Sequence, residues 1–244
     1  MSPRTLNRSS KDFSCASCEN INCIVKANLA ILENTSLVDH KTTLRCKKGQ
    51  QFIMEGAPVN GLFFILSGIV KVFRTGINGR EQIVRFAKSG EIIGHRGFGT
   101  EDNYAIGAIA IKDAVLCYFS RERLQETLLG SPKLAYDMML FYADELNKSE
   151  NKVKSISQMT VRERVIDSLL YIHRKFGTVN GFLNLPLSRR EYADYAGTTE
   201  EQVIRIFSAL KKEKLISAQG KKIGINDIGQ LKREINEHNY FLGS

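Results

Sequence analysis

The stretch that most constrains this chain is Leu187–Lys214, LSRREYADYAGTTEEQVIRIFSALKKEK. Ser188 followed three residues later by Glu191 is a capping-box pattern, in which side chains satisfy the first orphan N–H groups of a helix. It predicts a helix over Arg189–Ala196, ended by Gly197, whose missing Cβ permits a left-handed turn. Thr199 followed by Gln202 is a second capping box and starts a helix from Glu200 to about Glu213. Two capped helices joined at a glycine make a helix–turn–helix. On the second helix Val203, Ile206, Phe207 and Leu210 share one face and pack inward, while Glu201, Arg205, Ser208 and Lys212 lie opposite. An arginine there can reach guanine O6 and N7 bidentately, and a glutamate can accept from cytosine N4. Ile204, at the border of that face, can touch a thymine methyl. A solvated amphipathic helix would explain either helix alone. The pair, the turn and the basic surroundings point to double-stranded DNA.

Leu215–Ala218 and Ile223–Ile225 flank Gln219-Gly220-Lys221-Lys222 and read as a β-hairpin with a basic tip. That is a wing, whose lysines would meet phosphate and add affinity without sequence information. The candidate DNA contacts are Arg189, Thr199, Glu201, Gln202, Arg205, Ser208, Lys212, Lys221 and Lys222. Charge agrees with this assignment. The chain carries 35 Lys and Arg against 26 Asp and Glu, a net +9, and favours an anionic partner. The last 94 residues hold 16 of the bases and 10 of the acids, so six of the nine excess charges lie at this end.

Upstream the texture changes. Residues 25–40 read as a short helix. Residues 44–120 read as β, with candidate strands Gln51–Met54, Leu62–Leu66, Ile69–Arg74, Gln82–Ala87, Ala108–Ile111 and Val115–Phe119. Asn78-Gly79 between two such runs signals a hairpin, because the turn needs positive φ. Many short strands with regular turns mean a sandwich or barrel. Arg121–Leu129 reads as a short helix. From Ser131 to about Ser157 the period becomes helical, and Met139, Tyr142, Leu146, Ser149, Val153 and Ile156 alternate at spacings of three and four. Their neighbours, Glu145 and Lys152 among them, suit water. So narrow a stripe fits the same helix of a second copy better than a broad sheet face, the alternative being packing on the chain's own β domain.

Five cysteines remain: Cys15, Cys18, Cys23, Cys46 and Cys117. An odd number, three of them bunched in nine residues, suggests metal or redox chemistry in a reducing compartment. Soft thiolates select zinc or iron–sulfur clusters. No apolar run approaches the ~18 residues of a membrane helix. Met1–Lys11 lacks the apolar core of a secretory signal, so the expectation is a cytoplasmic protein with no membrane partner. An enzyme is not expected. His40, His95, His173 and His238 are scattered, and Gly90–Gly94 lacks the lysine of a phosphate-binding loop. An electron carrier would also use clustered cysteines, but would not need two capped helices and a basic wing.

Taken in order, these parts resemble the CRP/FNR family of bacterial transcription regulators over about residues 25–235. The strongest stretches are GLFFILSG (Gly61–Gly68), SGEIIG (Ser89–Gly94) and Glu191–Ile216. The resemblance implies an α+β fold with an N-terminal β-roll, a jelly roll like that of cyclic-nucleotide-binding domains. A long dimerisation helix and a C-terminal winged helix–turn–helix would follow. The expected division is a cysteine-bearing segment at 1–24, a β-roll sensor at 25–130, a dimerisation helix at 131–157 and a DNA-binding domain at 158–244. The implied partners are a palindromic DNA operator, a second copy of the chain and RNA polymerase. Glu201 and Arg205 match the family's base-reading pair, and Ile204 stands where FNR has a serine.

Cyclic-nucleotide members carry a glycine-glutamate pair and an Arg-Ser or Arg-Thr pair. Here His95 replaces the glutamate and no such arginine pair stands between Asn103 and Ile106, so no cyclic nucleotide is expected. FNR proteins use three N-terminal cysteines and one late in the β-roll, before a short helix. The resemblance therefore implies Cys15, Cys18, Cys23 and Cys117 as ligands of a [4Fe–4S] cluster, with Cys46 as a packing residue. The spacing of Cys18 and Cys23 is one residue shorter than in the best-known FNR proteins. An intact cluster would favour the dimer and DNA binding, and oxygen or nitric oxide would degrade it and loosen the dimer. The alternatives are a regulator of another effector, with a small molecule or cyclic nucleotide in the β-roll, or a zinc-binding or metal-free regulator. FNR also carries an acid in its dimer seam where this chain has Ser149. Two serines face each other at far lower cost than two carboxylates, so the expectation is partial dimerisation without the cluster.

Overall fold

A computed structural model describes residues 14–32, 36–98 and 102–235. Met1–Lys11 and His238 lie outside the described residues. The chain divides into two compact units, one ending at Asp144 and the other beginning at Glu145. Among the described residues, no helix is long and apolar enough to cross a membrane.

The first unit opens with three short helices, α1 (Ile24–Ala27), α2 (Leu29–Leu32) and α3 (Ser36–Asp39). These replace the single helix expected over 25–40. Asn28 caps α1, and its side-chain amide donates back to the Ile24 carbonyl and across to Asp137. A residue that diverts its hydrogen bonds in this way ends a helix at that point.

The strands are β1 (Thr42–Cys46), β2 (Gln51–Ile53), β3 (Gly61–Thr75), β4 (Glu81–Lys88), β5 (Ile92–Ile93) and β6 (Gly107–Ser120). They form one antiparallel sheet in the order β1-β6-β3-β4, with β2 paired to β6 and β5 to β3. Leu62–Leu66 and Ile69–Arg74 are one strand, as are Ala108–Ile111 and Val115–Phe119. Gly68 lies inside β3 at φ +95°, beside register shifts, and a Cβ there would collide with the Asp113 carbonyl and Ala114. The glycine therefore marks a bulge within a strand and not its end. The hairpin expected at Asn78-Gly79 is present, with both residues at positive φ. The strands β1 and β5 were not anticipated.

Alternation along the strands divides the interior into two clusters. Phe63, Ile65, Leu116 and Cys46 belong to one, with Val70, Val72 and Ala108. Leu62, Phe64 and Phe119 belong to the other, with Val25, Leu32, Leu37, Leu124, Leu134 and Met138. That second cluster joins the sheet to α1–α3, to α4 (Arg121–Gly130) and to the start of α5 (Pro132–Gln158).

The second unit holds the rest of α5, α6 (Val161–Phe176), a short hairpin β7 (Thr178–Val179) and β8 (Phe182–Leu183), α7 (Arg189–Ala196) and α8 (Glu200–Lys212). It closes with the hairpin β9 (Ile216–Gln219) and β10 (Lys222–Ile225), then α9 (Ile228–Glu234). Thr160 and Glu163 form a full capping box on α6, whose Val165, Ile166, Leu169 and Ile172 are buried. The architecture is thus an α+β β-roll, a long helix and a winged helix–turn–helix.

Candidate functional site

Two regions carry candidate chemistry. In the first unit, Cys15, Cys18, Cys23 and Cys117 line one pocket, together with Lys26 and Lys41. The apolar wall is Phe64, Ile65, Leu66, Phe119 and Val25. Residues 15–23 turn tightly through Cys18 N–H to the Cys15 carbonyl (3.3 Å) and Cys23 N–H to the Asn20 carbonyl (3.2 Å). The Asn20 side chain donates to the Ile65 carbonyl at 3.2 Å and docks the loop on β3. Cys23 is the N-cap residue of α1. Cys117 arrives from far along the chain by strand register, since it pairs with Thr43 of β1 and Phe64 of β3. Its odd-numbered neighbour Phe119 packs in the cluster beside the N-terminal helices, while Leu116 faces the other cluster. A slip of one residue would turn Cys117 to the opposite face.

Burial pushes the thiols of Cys15 and Cys23 up, and that of Cys117 up to about 12. Each of these is raised further by the other sulfurs, and Lys41 opposes the rise at Cys15 and Cys117. As thiols these groups stay neutral, because charge in an apolar wall is costly without a cation. Among the described residues, no group of three His, Cys, Asp or Glu side chains stands ready to hold a metal ion. The donor set still fits an iron–sulfur group or zinc, since four sulfurs reach one pocket whose lining includes no His, Asp or Glu. Cys46 is apart from this set, buried opposite Ala114 in the other cluster.

Where a cyclic nucleotide would be read, His95 is buried against Phe141 (ring centroids 4.9 Å apart) and Tyr142 (5.8 Å). Tyr104 is buried, its hydroxyl donating to the Gly61 carbonyl at 2.6 Å. Arg96 is exposed.

The stripe on α5 is largely uncovered. Met139, Leu146, Val153 and Ile156 are 46 to 67% exposed, and Tyr136 and Leu140 extend the apolar surface. Two members depart from it. Tyr142 is half-buried, with its hydroxyl donating to the His95 carbonyl (2.8 Å), and Ser149 donates to the Glu145 carbonyl (2.9 Å). Two neighbours expected in water are not there. Glu145 is buried, and Lys152 turns inward against the Tyr195 ring, 3.8 Å from its centroid.

In the second unit the capping box of Ser188 and Glu191 is complete, and Gly197 turns left-handed at φ 66°. The second box is half formed. Thr199 accepts from the Gln202 N–H, but the Gln202 side chain instead accepts from Thr198 at 3.0 Å. Val203, Phe207 and Leu210 are buried, with Tyr192 edge-on to Phe207 at 5.1 Å, and Ile206 is half-buried. Glu201, Gln202, Ile204, Arg205, Ser208 and Lys212 are exposed along α8, as are Lys221 and Lys222 at the tip of the wing. Glu201 holds its carboxyl below the usual range through a hydrogen bond from Thr199. Arg189 is half-buried, with its guanidinium over the Phe207 ring (4.7 Å) and on the Gly220 carbonyl (3.2 Å), so it braces the wing against the helix pair.

Two functional supports were missed in the sequence. The carbonyls ending α7 are covered by cations: Lys152 Nζ donates to Tyr195 (2.8 Å), and Arg164 donates to Ala196 (2.9 Å) and Gly197 (3.3 Å). Cations belong at the negative end of a helix, and these fix the turn before α8. No spacing in the sequence points to them, because they approach from other helices.

Comparison with known proteins matches two segments of the chain. A cyclic nucleotide-binding domain model matches residues 43–130, and a Crp-like helix–turn–helix domain model matches residues 163–234. The chain is 31% identical over 185 residues to transcriptional activator protein Anr of Pseudomonas aeruginosa, covering 74% of this chain and 75% of that protein. It is 28% identical over 197 residues to transcriptional activator protein FnrL of Cereibacter sphaeroides, covering 78% of each. Among solved structures, FixK2 from Bradyrhizobium japonicum aligns with a TM-score of 0.70 at 26% identity, over 79% of this chain and 96% of that one.

Proposed function

The chain belongs to the CRP/FNR family of DNA-binding transcription regulators, and on that premise we propose that it is a homodimeric sensor of oxygen, redox state or nitric oxide. Cys15, Cys18, Cys23 and Cys117 are assigned as ligands of a [4Fe–4S] cluster. The observation that carries this reading is the meeting of Cys117 with three thiols from the other end of the unit in one pocket. When bound, such a cluster supplies an oxygen-labile, redox-active centre. The apolar wall limits access of water, and the loop from Cys15 to Cys23 presents the sulfurs.

The exposed stripe on α5 is the surface for the second copy, over the segment 131–157. The winged helix–turn–helix then presents two copies of α8 to successive major grooves of a palindromic operator. Arg205 and Glu201 read bases, Ile204 meets a thymine methyl, and Lys221 and Lys222 hold phosphate. The protein acts in the cytoplasm, with RNA polymerase as the partner that the family resemblance implies.

Anaerobic purification followed by iron, zinc and sulfide analysis tests the sensor. Iron and sulfide at about four per chain support the cluster, and zinc alone overturns it. Sedimentation of the metal-free protein tests the role of Ser149. Partial dimer at micromolar concentration is the expected result, and a strict monomer would make the cluster the whole switch.

A further inference from the structure

Lys26 lies three residues beyond Cys23, on α1, and its ammonium reaches back across the pocket. It donates to the Cys15 carbonyl at 3.2 Å and the Ala16 carbonyl at 2.8 Å. One side chain therefore joins the two ends of the loop that carries three of the sulfurs. The hydrogen bonds made by Ser14 and Ser17 are local to that loop and do not tie it to the helix. An ammonium has three donors. Two serve the carbonyls, which leaves the third for the pocket that Lys26 lines. Lys41 also lines the pocket, and its charge favours the Cys15 thiolate.

Charge gives this arrangement its meaning. An oxidised [4Fe–4S] core on four thiolates is a dianion, and a dianion against an apolar wall is strongly destabilised unless cations stand beside it. Lys26 and Lys41 supply two. Groups behind the ligands of a metal site fix ligand orientation and tune the site.

We propose that Lys26 is a positioning residue for the four-cysteine set, closing the ligand loop and, together with Lys41, balancing the charge of the cluster it holds. This rests on the cluster reading above.

The test uses the full chain, reconstituted anaerobically as wild type, Lys26→Met, Lys26→Gln, Lys26→Arg and Lys41→Met. Iron and sulfide content, the rate of cluster loss to a chelator and the reduction potential are measured on each. Lys26→Met is expected to lose its cluster about 10- to 100-fold faster, the range usual for outer-shell changes. Lys26→Arg restores retention. Lys26→Gln keeps a donor without the charge and covers the case in which the methionine variant loosens the loop. It and Lys41→Met shift to a more negative potential, because a nearby cation is gone. Wild-type retention and potential in both Lys26→Met and Lys26→Gln would overturn the proposal while leaving the cluster intact. A wild type that takes up no iron and sulfide would overturn the cluster reading, and this inference with it.

Discussion

The cysteine pocket and the helix–turn–helix are built in opposite ways. The helix pair comes from 28 consecutive residues, and its stabilising contacts are mostly local: caps three residues apart and an inward face at helical spacing. The pocket draws on the N-terminal loop, on Lys41, on β3 and on Cys117, 94 residues beyond Cys23. Local parts tolerate change one contact at a time. A pocket made of distant strands depends on the register of the whole sheet, and it fails together with that register.

The sharpest way to break the contrast is at the sulfurs. Cys117→Ser, like Cys23→Ser, is expected to abolish iron and sulfide uptake, while Cys46→Ser leaves both unchanged. The reverse pattern in anaerobic metal analysis would exclude the assignment. In the helix pair a single residue should cost less. Arg205→Ala is expected to weaken operator binding by ~1–3 kcal/mol and to relax discrimination at one base pair. A gel-shift series with substituted operators reads both effects, and unchanged discrimination would remove Arg205 from base reading.

The clamp on α7 gives a pH-dependent prediction. Burial holds the Lys152 ammonium down to about 8, against an ordinary 10.5. The unfolded chain therefore binds more protons than the native one between these values, and stability rises with pH across that window. Asp167 is shifted upward by burial, so its contribution runs the other way, but in the acid range. Above about pH 10 the buried Tyr192 and Tyr195 hydroxyls also oppose the rise, since burial keeps them protonated. The Cys15, Cys23, Cys46 and Cys117 thiols, held up by burial, oppose the rise as well above about pH 9, so the readout is a difference: the stability of wild type minus that of Lys152→Met, from denaturant unfolding, should rise between pH 8 and pH 10. A difference that stays flat across that window would contradict the buried clamp. The smallest effect belongs to the wing. Lys221→Ala should lower affinity for all sequences alike and reduce the salt slope by about one. A sequence-dependent loss would instead make Lys221 a base reader.

Legibility follows the same division. Ser188, Glu191 and Gly197 were readable because a capping box and a left-handed turn are fixed by near neighbours. The second box forms only on the Thr199 side, because Thr198, one residue before the cap, takes the Gln202 side chain. Leu62–Leu66 and Ile69–Arg74 read as two strands in the sequence, because the role of Gly68 in a close approach shows only when Asp113 and Ala114 of the facing strand are in place. Arg189, a candidate DNA contact, also reaches the Gly220 carbonyl, a partner that only the folded wing supplies. In the sequence Lys152 reads as a lysine that suits water, since nothing adjacent tells where a long side chain will end.

By itself the sequence determined the helix pair, the wing, the apolar stripe and the bunching of three thiols. Each rests on hydrogen bonds or periodicity within a few residues. Only the tertiary structure decided that Cys117 faces those thiols, that Cys46 does not, and which lysines stand beside them. These depend on strand register and on the face each side chain takes, which are set by contacts between residues far apart in the chain.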